Sequence, residues 1–208
     1  MTPTISVYLE GGGDQKDTRT RLRKAFGVFL QELRQRGKAV RLKIVPCGSG
    51  TSAFDDFKTA LTQEPEAFNV LLVDSEGPVL DKSPWRHLAQ RPENRCPNPG
   101  VDDRHCHLMV QTMEAWLIAD REKLAEYYGR NFHETALPDN PNVEQIDKDL
   151  LTRALCNATR NTKKGEYHKT RHAPEILQRI RPAEVRAKAV HCERLFQTLL
   201  AQIDNAQP

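Results

Sequence analysis

The 208-residue chain has no long hydrophobic run; stretches such as Val70–Val73 fall far short of the roughly 20 apolar residues that span a bilayer. It has no CxxC pair. Its five cysteines, Cys47, Cys96, Cys106, Cys156 and Cys192, are odd in number and widely spaced, which argues against a disulfide framework or a zinc ribbon. Cys96 with His105, Cys106 and His107 is a candidate metal set, yet alternate residues of a strand face opposite ways, so reduced structural thiols are expected. The opening MTPTISVYLEGGGD lacks a basic stretch followed by a long apolar core, so no signal peptide is expected and a cytoplasmic protein is the default. Neither glycine-rich turn leads into Gly-Lys-Ser/Thr, and GxGxxG and GxSxG are absent. After Cys47, Ala53 stands where a Cys-x5-Arg phosphatase needs arginine. Walker ATPase, dinucleotide-binding and serine-hydrolase chemistry are therefore unsupported.

What is present suits one domain of ordinary size: 38% hydrophobic and 28% charged residues, with a net charge of +3. That small charge is unevenly spread. Residues 151–200 hold eleven Lys/Arg against four Asp/Glu, whereas residues 1–150 hold 20 against 23. A basic C-terminal quarter on a mildly acidic body suggests a polyanion partner, with a solvated basic face as the plainer explanation.

Ile5–Leu9 alternates as a strand and runs into Glu10-Gly11-Gly12-Gly13-Asp14. Leu22, Phe26, Phe29, Leu30 and Leu33 then recur at helical spacing, with Asp17 or Thr18 as cap and Gly37 as stop. Residues 40–45 read as a second strand and Thr51 or Ser52 as the start of a second helix. Val70–Val73 reads as the central strand of a parallel sheet, ending at Asp74-Ser75-Glu76-Gly77-Pro78. Residues 78–104 carry five prolines and read as a long loop with a helical turn near Trp85. A fourth strand is expected over 107–110 and a helix from Met113 through Leu124 and Tyr127. Beyond Pro138–Pro141 the pattern predicts polar helices near 143–160, a basic turn at Lys163-Lys164-Gly165 and a helix near 183–203. The expectation is an α/β fold, a mainly parallel sheet flanked by helices over residues 1–135. A helical basic C-terminal region, 136–208, packs on the same domain.

In such sheets functional groups gather at the carboxyl ends of strands. Glu10, Asp74, Glu76 and Glu114 all fall there. Asp74 and Glu76 are two apart, so in an extended segment both side chains leave on one side. Like charges held close repel unless a cation or proton compensates, and Mg²⁺ suits carboxylate oxygens beside a phosphate substrate. Each acid alone has a simpler reading as a cap, a turn residue or a solvated charge.

A strand ending in Glu-Gly, and a later apolar strand ending in Asp-x-Asp/Glu, resembles the Toprim domain of topoisomerases, primases and overcoming-lysogenization-defect nucleases. More closely, VYLEGGGD, RKAF, KIVPCGSGTSAFDDFKTAL, LLVDSEGPV, HLMVQTMEAWLIADRE, KKGEYHK and HCERLF resemble an uncharacterised bacterial family, domain-of-unknown-function family 4276, grouped with Toprim-like proteins. The resemblance implies Glu10 as general base or acid and Asp74 and Glu76 as a metal pair holding Mg²⁺ or Mn²⁺. Glu76 replaces the usual second aspartate. The same resemblance implies a nuclease, with a partner ATPase in defence against phage.

Lys163, Lys164, Lys169, Arg171 and His172 surround Tyr167 in the basic segment and could hold a nucleic-acid backbone, the tyrosine stacking on a base. A mobile basic loop is the alternative. The turns Gly11–Gly13 and Gly48-Ser49-Gly50, each before a helix, could instead cradle a small phosphorylated substrate. The first expectation is thus a metal-dependent Toprim-like nuclease acting on DNA or RNA, and the second a non-catalytic module of the same fold that binds nucleic acid or protein.

Overall fold

Strands rich in Val, Ile and Leu build the sheet of the computed structural model, which describes residues 2–37, 39–92 and 95–206. They are β1 (Thr4–Glu10), β2 (Arg41–Gly48), β3 (Phe68–Asp74) and β4 (Cys106–Met109). All pair in parallel, in the order β2-β1-β3-β4. Side chains alternate between two cores: Val7, Leu9, Val70 and Leu72 face one, Tyr8, Cys47, Leu71 and Val73 the other. Burial on both faces is why the central strand reads as an unbroken apolar run.

The first crossover is α1 (Lys16–Phe29) with α2 (Gln31–Arg36), and its Leu22, Phe26 and Phe29 enter the first core. The next, α3 (Gly50–Gln63), and the short α4 (Pro84–Gln90) put Phe54, Phe57, Trp85 and Leu88 into the second. The chain therefore leaves β1 toward one edge over one face, and returns to β3 over the other. Between β1 and β3 the strand order reverses, which opens a crevice at their carboxyl ends.

The remaining helices are α5 (Glu114–Ala119), α6 (Arg121–Tyr128), α7 (Lys148–Thr159), α8 (Lys169–Leu177), α9 (Pro182–Lys188) and α10 (Val190–Asn205). Trp116, Leu155, Ile176, Val185 and Phe196 from these helices share the first core with α1 and the sheet. The Phe29 ring stacks on Trp116 at 5.6 Å and meets Phe196 edge-on at 5.7 Å, joining three distant stretches of chain. Among the described residues no helix is long and apolar enough to cross a membrane.

Several local expectations are corrected. The first helix breaks at Leu30, and its N-terminus lacks a side-chain cap; Thr18 instead donates to the carbonyls of Gln15 and Gly12. Ser49 caps α3, its Oγ accepting from the Ser52 N–H at 3.1 Å. The helix expected from Met113 through Tyr127 is interrupted at Asp120, and that near 183–203 at Ala189. Residues 169–177, to which the sequence pattern assigns no element, form α8, whose buried Ala173, Ile176 and Leu177 are obscured by the basic run and by Pro174. The five cysteines are thiols and not disulfides.

Candidate functional site

Glu10 ends β1 and Asp74 ends β3, so parallel pairing of these strands brings both to the crevice. The Asp74 N–H donates to Glu10 Oε2 at 3.1 Å, and Asp74 Oδ1 accepts from the Met113 N–H at 2.8 Å. Glu76 follows in a turn rather than in extended chain. Its φ is +63°, and its N–H donates to the Gln111 carbonyl at 2.9 Å. A non-glycine residue held there costs about 1 kcal/mol or more. The turn achieves what an extended segment was expected to do: Glu10, Asp74 and Glu76 each offer a carboxylate oxygen, all within 4.8 Å of one another. Among the described residues this is the one cluster of three or more His, Cys, Asp or Glu with metal-ligand spacing.

Glycines shape the wall behind Glu10. Gly11 and Gly48, at φ +122° and +92°, exchange N–H donors across a two-strand bridge of 2.7 and 3.0 Å. A Cβ on Gly50, in the first turn of α3, would stand 2.9 Å from Glu10 Oε2. The positive end of α3 thus faces the protein's own carboxylate. Of the amides in these turns, those of Gly11 and Gly48 bond each other's carbonyls and Gly50 lies against Glu10, while Gly11–Gly13 and Gly48 line a cavity beside the acids.

Asp74 is 3% exposed. Burial pushes its carboxyl up to about 8; Lys169 pulls it back, while Glu10, Glu114 and Glu76 add to the rise. Glu10 is also raised, first by burial, with the Asp74 amide and Arg91 opposing. Lys169 Nζ lies 3.4 Å from Asp74 Oδ2 and 3.5 Å from Glu114 Oε2, and its own pKa rises through those two carboxylates against the cost of burial. Lys148 donates to Glu76 Oε2, and the Arg91 guanidinium donates to the carbonyls of Asp74 and Ser75. Four acids thus sit among three protein cations.

The other expected site residues divide. Glu114 stands outside the three-acid cluster: it is buried at the start of α5, where it accepts from the Tyr167 hydroxyl at 2.9 Å and faces Lys169. Tyr167 is itself buried, so no ring face is open for base stacking, which corrects that expectation. His172 is likewise buried, with Nδ1 accepting from the Tyr128 hydroxyl at 3.1 Å, and is no surface phosphate ligand. Lys169 serves the acid cluster. Lys163, Lys164 and Arg171 are exposed, the Lys164 ammonium 4.4 Å from the Tyr127 ring centre. The Cys96–His107 metal set does not assemble: His107 is buried with its pKa pulled down to about 3 by burial, and its Nδ1 takes a bond from Arg194. Arg91 and Lys148 escaped notice because one lies in the proline-rich loop and the other in a polar helix, neither in a motif.

Two cavities flank the acids. One of about 230 Å³ is lined by Glu10, Gly12, Asp74, Met113, Lys169 and Thr170, among others. The other, about 580 Å³, opens on the Glu76 side. Fold and site together define a parallel α/β protein with a carboxylate cluster at the switch point of its sheet. The family model described as Domain of unknown function (DUF4276) matches residues 9–200, and the chain belongs to that family. No curated protein and no solved structure matches it.

Proposed function

We propose that this protein is a divalent-metal-dependent, Toprim-like phosphodiesterase that cleaves DNA or RNA. The observation that carries this reading is the convergence of Glu10, Asp74 and Glu76 oxygens within 4.8 Å. The donor set is all carboxylate oxygen, which suits Mg²⁺ or Mn²⁺, and the upward pressure on Asp74 and Glu10 is what a cation would relieve. Glu10, Asp74 and Glu76 would hold the ion. When bound, such an ion lowers the pKa of water and offsets charge on a reacting phosphodiester.

The chain's own groups have separate tasks in this reading. Glu10, partly buried and with its pKa raised, can take or give a proton beside the cluster. Asp74 is held in one orientation by the Met113 amide, and Lys169 limits repulsion between Asp74 and Glu114. A partner ATPase and a role in phage defence complete the proposal on resemblance alone. A second reading rests on the Lys169–Asp74–Glu114–Tyr167 network, in which the acids already have protein partners: a non-catalytic binding module.

Plasmid, single-stranded DNA and RNA incubated with Mg²⁺ or Mn²⁺ test the proposal. Wild type is expected to cleave at least one of them, and Glu10→Gln and Asp74→Asn to be about 100-fold slower or worse. Equal activity in all three proteins would overturn it. Calorimetry separates the readings, since the nuclease binds Mn²⁺ and the binding module does not.

A further inference from the structure

The cavity on the Glu76 side is larger than the one on the Glu10 side and differs in chemistry. Its lining includes Glu76, Leu80, His87, Arg91, Pro92 and Lys148. Arg91 is only 7% exposed; its donors go to the carbonyls of Asp74 and Ser75, and its charge acts on the Glu10 carboxylate across the acid cluster. Lys148 has three donors and gives one to Glu76. His87 Nε2 meets the Ser75 carbonyl at 2.9 Å, which fixes the ring at the same edge. The lining also takes in the apolar Pro78, Leu80 and Pro92, Leu80 being 95% exposed, and Asp81, which is paired with Arg86.

We propose that this groove is a subsite for one nucleotide unit of a single-stranded polynucleotide, with its phosphate toward Arg91 and Lys148 and its base or sugar against Leu80 and Pro92. The inference rests on the phosphodiesterase reading for its substrate class and assigns the side from which the strand reaches the acids. About 580 Å³ falls within the range of roughly 300–1,000 Å³ that encloses a small organic ligand. A paired base is stacked inside its helix and cannot enter such a groove, whereas an unstacked one can be splayed into it. Cationic and apolar side chains in one lining suit the charged phosphate and the flat base of a nucleotide.

Fluorescence anisotropy with a labelled oligothymidylate, in EDTA and at low salt, tests the subsite without cleavage. Wild type is expected to bind the single strand at least tenfold more tightly than a duplex of equal length. Leu80→Glu, a change at a fully exposed position, is expected to weaken single-strand binding about tenfold. Lys148→Gln should weaken it severalfold and reduce the slope of log affinity against log salt by about one unit. Unfolding midpoints for both variants guard against misfolding, and Leu80→Ala, which removes apolar surface without adding charge, is expected to weaken binding less than Leu80→Glu. Unchanged affinity in a folded Leu80→Glu protein, equal affinity for duplex, or no binding by wild type would overturn the subsite. If acid-dependent cleavage persists while Leu80→Glu binds normally, the subsite fails and the nuclease stands. If groove-dependent binding occurs without cleavage under any metal, the reverse holds.

Discussion

A carboxylate set against the first turn of a helix needs a neighbour without a side chain, and Gly50 is that neighbour for Glu10. In the sequence, Gly48-Ser49-Gly50 reads as a turn able to cradle an external phosphate; in the fold its occupant is internal. Gly50→Ala isolates the effect. Alanine is favoured over glycine in a helix by about 0.5–1 kcal/mol, so folding should be unharmed or slightly improved. The added methyl would displace the Glu10 carboxylate, and Mn²⁺ affinity measured by calorimetry should fall about tenfold or more. Unchanged affinity would mean that Glu10 is not a ligand. Glu10, Asp74 and Glu76 were legible as candidates because each ends a strand or lies in the turn beyond one. The roles of Tyr167 and His172 were not, since an aromatic or histidine in a basic run carries no mark of burial.

Individual helices were located by periodicity, but their ends depend on contacts far along the chain. Asp120 shows why. The apolar pattern continues past it, yet its side chain accepts from the Lys123 N–H and starts α6 anew. Its other bonds go to Arg181, from Nε at 2.9 Å, Nη2 at 2.7 Å and the backbone N–H at 2.8 Å, tying the α5–α6 corner to the start of α9. These bonds outweigh its desolvation, and its carboxyl sits below the usual range. Asp120→Ala removes a helix cap, worth about 1 kcal/mol, and with it the buried carboxylate that takes the Arg181 N–H and guanidinium bonds, leaving the guanidinium to Glu122. Urea unfolding should show a loss of about 2–3 kcal/mol, with metal binding retained; a loss under 0.5 kcal/mol would show that the corner does not depend on this pair.

For the molecule as a whole, crowding acids at the crevice makes stability depend on pH. Asp74 binds its proton more tightly folded than unfolded, so its contribution is full at low pH and is lost as pH rises toward about 8. Glu10 acts in the same sense. Buried His107, pulled down to about 3, works the opposite way, but only up to the ordinary histidine value of 6.5. Between pH 6.5 and 8 the acids therefore dominate. Metal-free protein should be about 1–2 kcal/mol less stable at pH 8 than at pH 6.5 by chemical denaturation. Mn²⁺ should reverse the loss, and Asp74→Asn should flatten the slope; a flat wild-type profile would contradict a buried, proton-holding Asp74. Composition, periodicity and strand-end position by themselves determined a parallel α/β chain with acids at its strand ends, because alternation and apolar runs are local consequences of burial. Only the tertiary structure decided that Lys169 lies between Asp74 and Glu114 and that Glu114 binds Tyr167 rather than joining the cluster. It alone brought Arg91 and Lys148 to the Glu76 side. Such pairings are set by strand order and helix packing, which unite residues such as Asp74 and Lys169, 95 positions apart, that no local pattern connects.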